Sequence, residues 1–323
     1  MGRLSDGSLI QVMEDGFRHI RTGSVKPMKL EGKILKATSL GRQLILALSG
    51  GDLIYYELNE NNELSEVDTA NLEEEVVSMS LAPIEEGRIR SNFLVVGLRN
   101  TTVKILDLHS DQSLKVVSTQ NMKEQIESVV VTEMHFGTDT DLETYGKKMY
   151  IYTGLANGML IRTTIDKVTG SMIDSRPKYL GSKPVKCVKL TILGKPAILA
   201  LSSRPWLIYS YGNKQMVSLL AFPYLDIATQ ITIPDSPNAI IGFIDNMMKI
   251  ISMESFGQLF HSDKISLKYS GKKLLHFKDY MGILESDRQP IEIESMNESD
   301  LDYKWNSRIS VYDPKTEKIV TSI

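Results

Sequence analysis

The stretch GKILKATSLGRQLILALSGGDLIYYELNENNELSEVDTA, from Gly32 to Ala70, contains four short segments that have the character of β-strands. The first three are rich in Leu, Ile, Ala and Tyr and are interrupted by glycine, whereas the fourth, NELSEVDTA, is mostly polar. Short apolar runs bounded by turn residues favour strands over helices. The stretch therefore predicts four consecutive antiparallel strands, of which only the fourth faces water.

The same four-segment unit recurs along the chain. Its next copy reads VVSMSLAP, NFLVVGLRN, TTVKILDLH and SLKVVSTQ, and later copies place KMYIYTGLAN, KPAILALSSRP and NAIIGFID at the second segment. The first segments begin near Ile34, Val76, Ile126, Val185, Ile227 and Lys272. The mean repeat of about 48 residues lies in the range of four-stranded propeller blades. We therefore predict an all-β fold, a seven-bladed β-propeller of four-stranded antiparallel blades, with residues 1–323 as a single domain.

Two regions depart from the repeat. Ser8 to Arg21 supplies only two outer strands, so one blade is predicted to be incomplete. The stretch RQPIEIESMNESDLDYKW, at about residues 286–304, is acidic and has no counterpart in the other units. We predict that this insertion is mobile and dispensable for folding, because long loops without repeat register in compact folds are usually binding or disordered segments.

The turn between the second and third strands of each unit carries small residues. LSSRPWLIYSY, from Leu201 to Tyr211, occupies the same place as LSGGDLIYYEL, so its serines and arginine are interpreted as a turn and not as a nucleophilic or base-stacking site. Trp206 is expected to begin the third strand and to cover the edge of the blade. A structural role is predicted for Gly50, Gly51, Gly97, Gly154, Gly158, Gly181, Ser202, Ser203, Arg204, Pro205 and Trp206.

Residues with catalytic or metal-binding chemistry are scattered. Cys187 is the single cysteine, which excludes an internal disulfide and a cysteine-based zinc site, and we interpret it as a buried inert thiol. No GxGxxG or GxxxxGK[ST] phosphate loop occurs. The histidines stand singly, without metal-ligand spacing, at His19, His109, His135, His261 and His276. We predict no catalytic residues, no metal and no cofactor.

One acidic stretch resembles the opening of a calcium loop. In TDTDLETYG, the side chains of Asp139, Asp141 and Glu143 alternate, as calcium ligands do at the start of such a loop. Thr144 and Tyr150, however, stand where the loop requires its glycine and its bidentate glutamate. We therefore interpret the stretch as a solvated loop.

The charge balance argues against a general nucleic-acid binder. The chain has 37 basic and 40 acidic residues and a net charge of -3, whereas nucleic-acid binding requires a basic field. Glu73–Glu75 is interpreted as a charged surface, and Lys178, Lys183 and Lys186 as rim residues, with phosphate contact as the alternative. No apolar run approaches the roughly 20 residues of a membrane span, and the N-terminal MGRLSDGSLI lacks a signal peptide, which favours an intracellular protein.

Six ordered motifs carry a resemblance to a known family: MEDGFRHIR, LALSGGDLIYYEL, GLRNTTVKILDL, TGLANGMLIRTTIDKVTG, YLGSKPVK and LSSRPWLIYSY. Together they resemble the middle β-propeller of the large triple-propeller subunit of splicing factor 3b. The superfamily is shared with the damaged-DNA-binding large subunit and the cleavage and polyadenylation specificity factor large subunit. The likeness is dense from Asp6 to Lys186, clear through Tyr211 and thinner beyond Phe222.

The resemblance implies a fragment of a longer protein that acts as a non-enzymatic scaffold for pre-mRNA splicing. It implies a nuclear location in the U2 snRNP, support of branch-site recognition, and contacts with other splicing factor 3b subunits and spliceosomal proteins. Little direct RNA contact, no membrane and no small-molecule substrate are expected. Binding is expected to use turns such as Leu98–Thr102 and Leu155–Gly158. A cullin ubiquitin-ligase adaptor of the damaged-DNA-binding type and a ligand-binding or enzymatic propeller are the alternatives.

Overall fold

The computed structural model describes most of the chain. The described residues are 2–109, 113–136, 146–192, 194–211, 214–222, 224–233, 236–244, 247–251, 266–277, 280–288, 305–313, 316 and 318–322. They cluster into two compact units, residues 1–257 and residues 258–323, which are described separately. The single domain over residues 1–323 stays a prediction. No helix that is long and apolar enough to cross a membrane is found in the described ranges.

The larger unit contains six antiparallel sheets in chain order, numbered 1 to 6. Sheets 1 and 2 consist of β1 (Gly2–Arg3), β2 (Leu9–Met13), β3 (Gly16–Arg21) and β4 (Ser24–Lys29), then β5 (Ile34–Leu40), β6 (Gln43–Leu48), β7 (Asp52–Leu58) and β8 (Leu64–Asn71). Sheets 3 and 4 consist of β9 (Val76–Leu81), β10 (Phe93–Leu98), β11 (Thr102–Asp107) and β12 (Val116–Asn121), then β13 (Ile126–His135), β14 (Lys147–Leu155), β15 (Met159–Ile165) and β16 (Met172–Tyr179). Sheets 5 and 6 consist of β17 (Lys186–Ile192), β18 (Lys195–Leu201), β19 (Pro205–Tyr211) and β20 (Lys214–Leu219), then β21 (Ile227–Ile233), β22 (Ser236–Ile244) and β23 (Met247–Ile251).

The smaller unit contains sheet 7, which is also antiparallel. Its strands are β24 (Gly271–Phe277), β25 (Tyr280–Arg288), β26 (Trp305–Asp313) and β27 (Lys318–Ser322). In every sheet the strands pair in sequence order, so each sheet is formed by one continuous segment of chain. The seven antiparallel sheets confirm the predicted all-β class and the four-strand repeat.

Burial explains why the strands of one unit differ in composition. All six residues of β6 and all six of β10 are buried, whereas the fourth strands β8 and β12 are mostly exposed. The apolar clusters of the larger unit each join two consecutive sheets, as in the contact of Ile45 and Leu53 of sheet 2 with Leu94 and Leu98 of sheet 3. A strand that lies between two neighbouring sheets must be apolar on both faces, as in buried parallel sheets.

A recurring backbone hydrogen bond shows that the sheets are structural repeats. The residue that follows the fourth strand donates its N–H to the turn between the second and third strands of the same sheet. Leu72 N donates to Gly51 O at 2.9 Å and Met122 N donates to Thr101 O at 2.8 Å. The corresponding bonds of sheets 4 and 5 run from Leu180 to Gly158 and from Leu220 to Pro205. The repeat derived from apolar spacing therefore corresponds to a repeat in backbone bonding.

Two expectations about irregular regions require correction. Ser8 to Arg21 does not form a two-stranded unit, because the short β1 and the exposed β4 complete a four-stranded sheet. Both were missed because β1 has two residues and β4 contains Pro27 and hardly any buried residue. The insertion does not begin at Ser286, because β25 continues through Arg288, which pairs with Trp305 of β26. Residues 289–304 and most of the predicted fourth strand of sheet 6 lie outside the described residues.

Candidate functional site

The connector Leu180–Val185, between sheets 4 and 5, brings several predicted turn residues together. On its sheet 4 side, Leu180 N donates to Gly158 O at 2.9 Å and Val185 N donates to Leu155 O at 3.1 Å. Both acceptors belong to the turn between β14 and β15. The connector is therefore bound by its backbone to the turn of the preceding sheet.

On its sheet 5 side, the same connector is held by side chains. The Ser202 hydroxyl donates to Lys183 O at 2.7 Å, and the Trp206 indole N–H donates to Leu180 O at 2.9 Å. Ser202 is fully buried, Trp206 is half-buried in β19, and Arg204 is exposed. The Ser202 hydroxyl is thus engaged in a bond to the backbone, and no histidine or carboxylate is bonded to it among the described residues.

Three glycines lie in close contact with this connector or within it, and at Gly154 and Gly158 the neighbouring atom is a backbone carbonyl oxygen that leaves no space for a Cβ. A Cβ at Gly154 would clash with Val185 O, one at Gly158 would clash with Gly181 O, and one at Gly181 would clash with the Ser203 hydroxyl. We call Gly154, Gly158, Gly181, Ser202 and Ser203 the turn cluster. Its members lie far apart in sequence and meet because consecutive sheets pack side by side.

Of the remaining predicted turn glycines, Gly50 and Gly51 lie at the turn between β6 and β7, whereas Gly97 lies inside strand β10. A Cβ at Gly51 would lie 2.8 Å from Glu74 O, whereas one at the adjacent Gly50 would meet no atom within 4 Å. A Cβ at Gly97 would lie 2.8 Å from the Ile126 side chain of the next sheet. Close approach between chain segments, and not chemistry, accounts for most of the glycines at these turns.

The lysines near the connector contact aromatic rings. The Lys183 ammonium lies 3.6 Å from the centre of the Tyr224 ring, and that of Lys178 lies 5.8 Å from the centre of the Trp206 ring. Lys186 is exposed at the start of β17. Two of the three lysines therefore have cation–π partners, which limits the phosphate contact that the sequence had left open.

Sheet 1 contains a polar network that the scattered histidines did not predict. The Ser8 hydroxyl lies 2.5 Å from Asp6 Oδ1, and His19 Nε2 lies 2.8 Å from Ser8 Oγ. The serine stands between the other two groups, whereas a catalytic triad places histidine in the middle. Ser8 donates its proton to the carboxylate and accepts from His19, so it is not activated as a nucleophile.

The environment of this network shifts two pKa values. Burial lowers the pKa of His19 below its ordinary value, and the nearby Arg21 guanidinium lowers it further. Burial raises the pKa of the Asp6 carboxyl, but hydrogen bonds from the Ser8 side chain and backbone N–H outweigh this effect, so the net pKa of Asp6 is lowered. At neutral pH the network therefore contains a neutral histidine and an ionised carboxylate.

A lysine of one first strand bonds to another first strand in the larger unit. Lys189 of β17 donates from Nζ to Leu81 O of β9 at 2.9 Å, passing the intervening β13. Its side chain reaches water, but the surrounding protein lowers the pKa of the ammonium to about 8. No carboxylate forms an ion pair with Lys189 in the part of the chain that the structure describes. A catalytic channel would instead bring several acids, histidines or arginines together.

The other candidate residues show no shared site. Burial raises the pKa of the Cys187 thiol to about 12, which suppresses the reactive thiolate. His109 Nδ1 lies 2.5 Å from Asp107 Oδ1, and His135 Nε2 lies 3.6 Å from a Glu133 oxygen. The predicted calcium-like loop, His261 and the His276 side chain lie outside the described residues. Among the described residues, no group of three or more His, Cys, Asp or Glu side chains is arranged to hold a metal ion.

A larger group of basic residues lines a cavity of about 700 Å³ between sheets 4 and 5. The cavity lies at the start of β14 and the end of β15, opposite the turn that joins these strands. Its central side chain is Arg162, whose guanidinium lies 5.0 Å from the centre of the Tyr150 ring. Nothing in the linear sequence marked this arginine, because the cavity is formed by residues of four strands.

Comparison with known proteins assigns the family. Residues 1–253 match the model of the RSE1/DDB1/CPSF1 second β-propeller. This chain belongs to that family. The match to this family model confirms both the predicted resemblance and the β-propeller fold class. The matched residues include all six sheets of the larger unit.

Relatives of this second β-propeller are named as splicing proteins. The chain is 36% identical to splicing factor 3B subunit 3 of Danio rerio over 84% of its own length, and 35% identical to spliceosome-associated protein 130 A of Arabidopsis thaliana over 88%. It is 30% identical to pre-mRNA-splicing factor rse1 of Neurospora crassa over 98% of its length. The aligned regions make up 23%, 24% and 28% of these relatives, so the chain spans about a quarter of their length.

Proposed function

We propose that this second β-propeller is a non-enzymatic scaffold that binds protein partners during pre-mRNA splicing. It acts in the nucleus as part of splicing factor 3b in the U2 snRNP, where it supports branch-site recognition and spliceosome assembly. The observation that carries this proposal is the identity of 30 to 36% with splicing proteins over most of the chain. The partners are other splicing factor 3b subunits and spliceosomal proteins.

The geometry of the described residues supports a scaffold over an enzyme. The hydroxyls of Ser8 and Ser202 are held in hydrogen bonds, and the pKa of the partly buried Cys187 thiol is raised to about 12. The turns between second and third strands project from sheets whose central strands are fully buried, which gives a rigid support for binding loops. Arg99 and Arg204 are exposed at two of these turns. We propose that the turn residues serve packing and that the exposed side chains beside them contact partners.

A capture experiment tests this function. The domain is immobilised on a resin and incubated with nuclear extract that has been treated with ribonuclease. The bound proteins are identified by mass spectrometry. We expect splicing factor 3b subunits or other spliceosomal proteins, and weaker capture by a double variant, Arg99→Glu with Arg204→Glu. Lys26→Glu, an exposed lysine on the outer strand β4, is the matched control and should capture as the wild type does.

The same experiment separates the alternatives. Recovery of a cullin without splicing proteins would favour the ubiquitin-ligase adaptor. In parallel, the domain is titrated with single-stranded RNA at physiological salt. Micromolar or tighter RNA binding with no recovered protein would replace the scaffold with a nucleic-acid receptor, because counterion release requires clustered basic residues.

A further inference from the structure

The cavity between sheets 4 and 5, which we call the basic pocket, has a charge opposite to that of the chain. Its lining contains five basic side chains and two acidic ones, in a protein with a net charge of -3. The basic residues are Lys147, Lys148, Arg162, Lys167 and Arg176, and the acidic residues are Asp166 and Asp174. A concave surface lined by one sign of charge concentrates ions of the other sign. The pocket is therefore suited to an anion.

Most of these charges are already paired within the protein. Asp174 accepts from Arg176 Nε at 2.9 Å, and Asp166 accepts from the N–H groups of its own turn. Lys147 pairs with Glu86 at 2.6 Å, and Lys167 pairs with Glu133. Arg162 and Lys148 remain, since neither has an acidic partner among the described residues. Within the described part of the chain, two positive charges thus remain, together with the carboxylate of Asp166, whose hydrogen bonds from backbone N–H groups lower its pKa and keep it ionised.

Arg162 is fixed in position, yet one of its donors has no acceptor. Its Nη1 donates to the Gln215 amide oxygen, and the amide nitrogen of Gln215 in turn bonds the Tyr152 hydroxyl. The Tyr150 ring supports the guanidinium from one side. The Arg162 Nε–H is buried and finds no hydrogen-bond acceptor in the described structure. A buried donor without an acceptor is costly to the fold. The guanidinium of an arginine that lines a cavity also matches the oxygens of phosphate or carboxylate.

The lining also indicates what carries the anion. Phe136, Ile165 and Ile173 line the same pocket, and Ile173 is 52% exposed. Phe136 and Ile165 are buried, so Ile173 provides the accessible apolar surface, and an exposed isoleucine beside two cations suits a charged side chain flanked by apolar residues. A nucleic-acid strand would present several phosphates and require a longer series of unpaired cations. The pocket therefore favours a peptide that carries one anionic group.

We propose that the basic pocket binds one phosphorylated serine or threonine of a partner protein in an extended segment. A phosphoserine carries a charge of about -1.5 to -2 at neutral pH and three acceptor oxygens, so it can engage Arg162 and Lys148 together and still outweigh the Asp166 carboxylate in the same lining. The site lies at the opposite end of β14 and β15 from the turns. This proposal goes beyond the scaffold function. It does not depend on which complex the chain belongs to.

Fluorescence polarisation with the full chain tests this site. The probe is a fluorescein-labelled peptide of sequence Gly-Leu-phosphoSer-Leu-Gly, compared with the same peptide containing Ser or Glu. We expect the phosphopeptide to bind at least about tenfold more tightly than the Ser peptide and several-fold more tightly than the Glu peptide, because charge-assisted bidentate bonds are the strong ones. Equal binding of all three peptides would overturn the proposal. Equal binding of the Glu and phosphoserine peptides would overturn the choice of phosphate.

Variants assign the binding to the pocket. Arg162→Gln should weaken phosphopeptide binding by at least about tenfold, and Lys148→Gln by about threefold, with the weaker effect at the more exposed cation. Arg204→Gln, an exposed arginine at the opposite end of the sheets, is the matched control and should bind as the wild type does. Circular dichroism shows whether each variant is folded. If Arg162→Gln is unfolded, the effect of Lys148→Gln on phosphopeptide binding tests the site instead. Unchanged binding in a folded Arg162→Gln protein would contradict the site. If an oligouridine binds more strongly than the phosphopeptide, and this binding is lost in Arg162→Gln, the basic pocket is an RNA site instead.

Discussion

The two ends of sheet 4 are built differently, although the same strands form both. At one end, the turn between β14 and β15 is packed so tightly against the Leu180–Val185 connector that Gly158 has no space for a methyl group. At the other end, the same strands line a cavity of about 700 Å³ whose wall includes Arg162. Backbone atoms fill the first end, whereas long charged side chains line the second.

This difference separates residues that stabilise the fold from residues that are available for binding. Close packing leaves no room for a ligand and makes each atom matter to stability. A polar cavity contributes less to stability but leaves charged donors for a partner. Sheet 1 shows a third arrangement, because the buried Ser8 and His19 form a network with the exposed Asp6 at the end that corresponds to the pocket of sheet 4.

The largest effect is expected where the packing is tightest. Gly158→Ala should lower the free energy of unfolding by at least about 3 kcal/mol, because the new methyl group clashes with Gly181 O and the backbone at φ +85° disfavours any Cβ. Gly50→Ala is the control, because Gly50 has a similar φ of +91° with no atom within 4 Å, and should cost about 1 kcal/mol. Urea denaturation of both variants gives the comparison. Similar losses for the two would show that space at the turn cluster is not limiting.

The aromatic side chain beside the turn cluster should matter somewhat less. Trp206→Ala should lower the free energy of unfolding by about 2 to 3 kcal/mol, below the range for a fully buried tryptophan, because the ring is half-buried and its N–H binds Leu180 O. Arg204→Ala, two residues earlier and exposed, should stay within about 0.5 kcal/mol of the wild type. Thermal melts of both proteins provide the measurement. A larger loss for the Arg204 variant would reverse the two assignments.

The polar network of sheet 1 should make stability depend on pH. Because the folded-state pKa of His19 lies below its ordinary value of 6.5, the unfolded chain binds a proton more readily, and stability falls as the pH drops through 6.5 toward the folded pKa. Asp6 acts in the same direction at lower pH, since its stabilising contribution is lost below its lowered pKa. His19→Gln removes the first effect and keeps a donor for Ser8. We expect the melting temperature of the wild type to fall more between pH 7.5 and 5.5 than that of His19→Gln, and equal slopes would refute a role for His19.

The smallest effect is expected for the insertion of sheet 7. Residues 289–304 connect Arg288 to its strand partner Trp305, so a short linker of glycine and serine can close the same hairpin. Replacement should leave the melting temperature within a few degrees, because the entropy of loop closure depends weakly on length. Differential scanning calorimetry of the replaced chain tests this. A large loss of stability would show that the insertion packs against the fold.

Much of the fold was predictable from the sequence because strand formation here is local. Apolar runs such as QLILAL and FLVVGL, separated by turn residues at a regular spacing, determined the strand order and the four-strand repeat. The two strands that were missed, β1 and β4, are short or exposed and leave no apolar pattern. The family resemblance was equally readable, since it depends on ordered motifs.

Side-chain sites were decided only by the tertiary structure. Arg162, Tyr150 and Gln215 come from three strands of two sheets, and Ser8 and His19 are separated by a turn, so neither site has a characteristic spacing in the chain. The sequence determined that Gly158 lies in a turn. The reason that it is a glycine is the carbonyl oxygen of Gly181, which belongs to the connector two strands later in the chain. Local patterns specify backbone structure because hydrogen bonding and burial repeat every few residues. Sites depend on how the sheets pack, which brings together side chains whose separation in sequence is arbitrary.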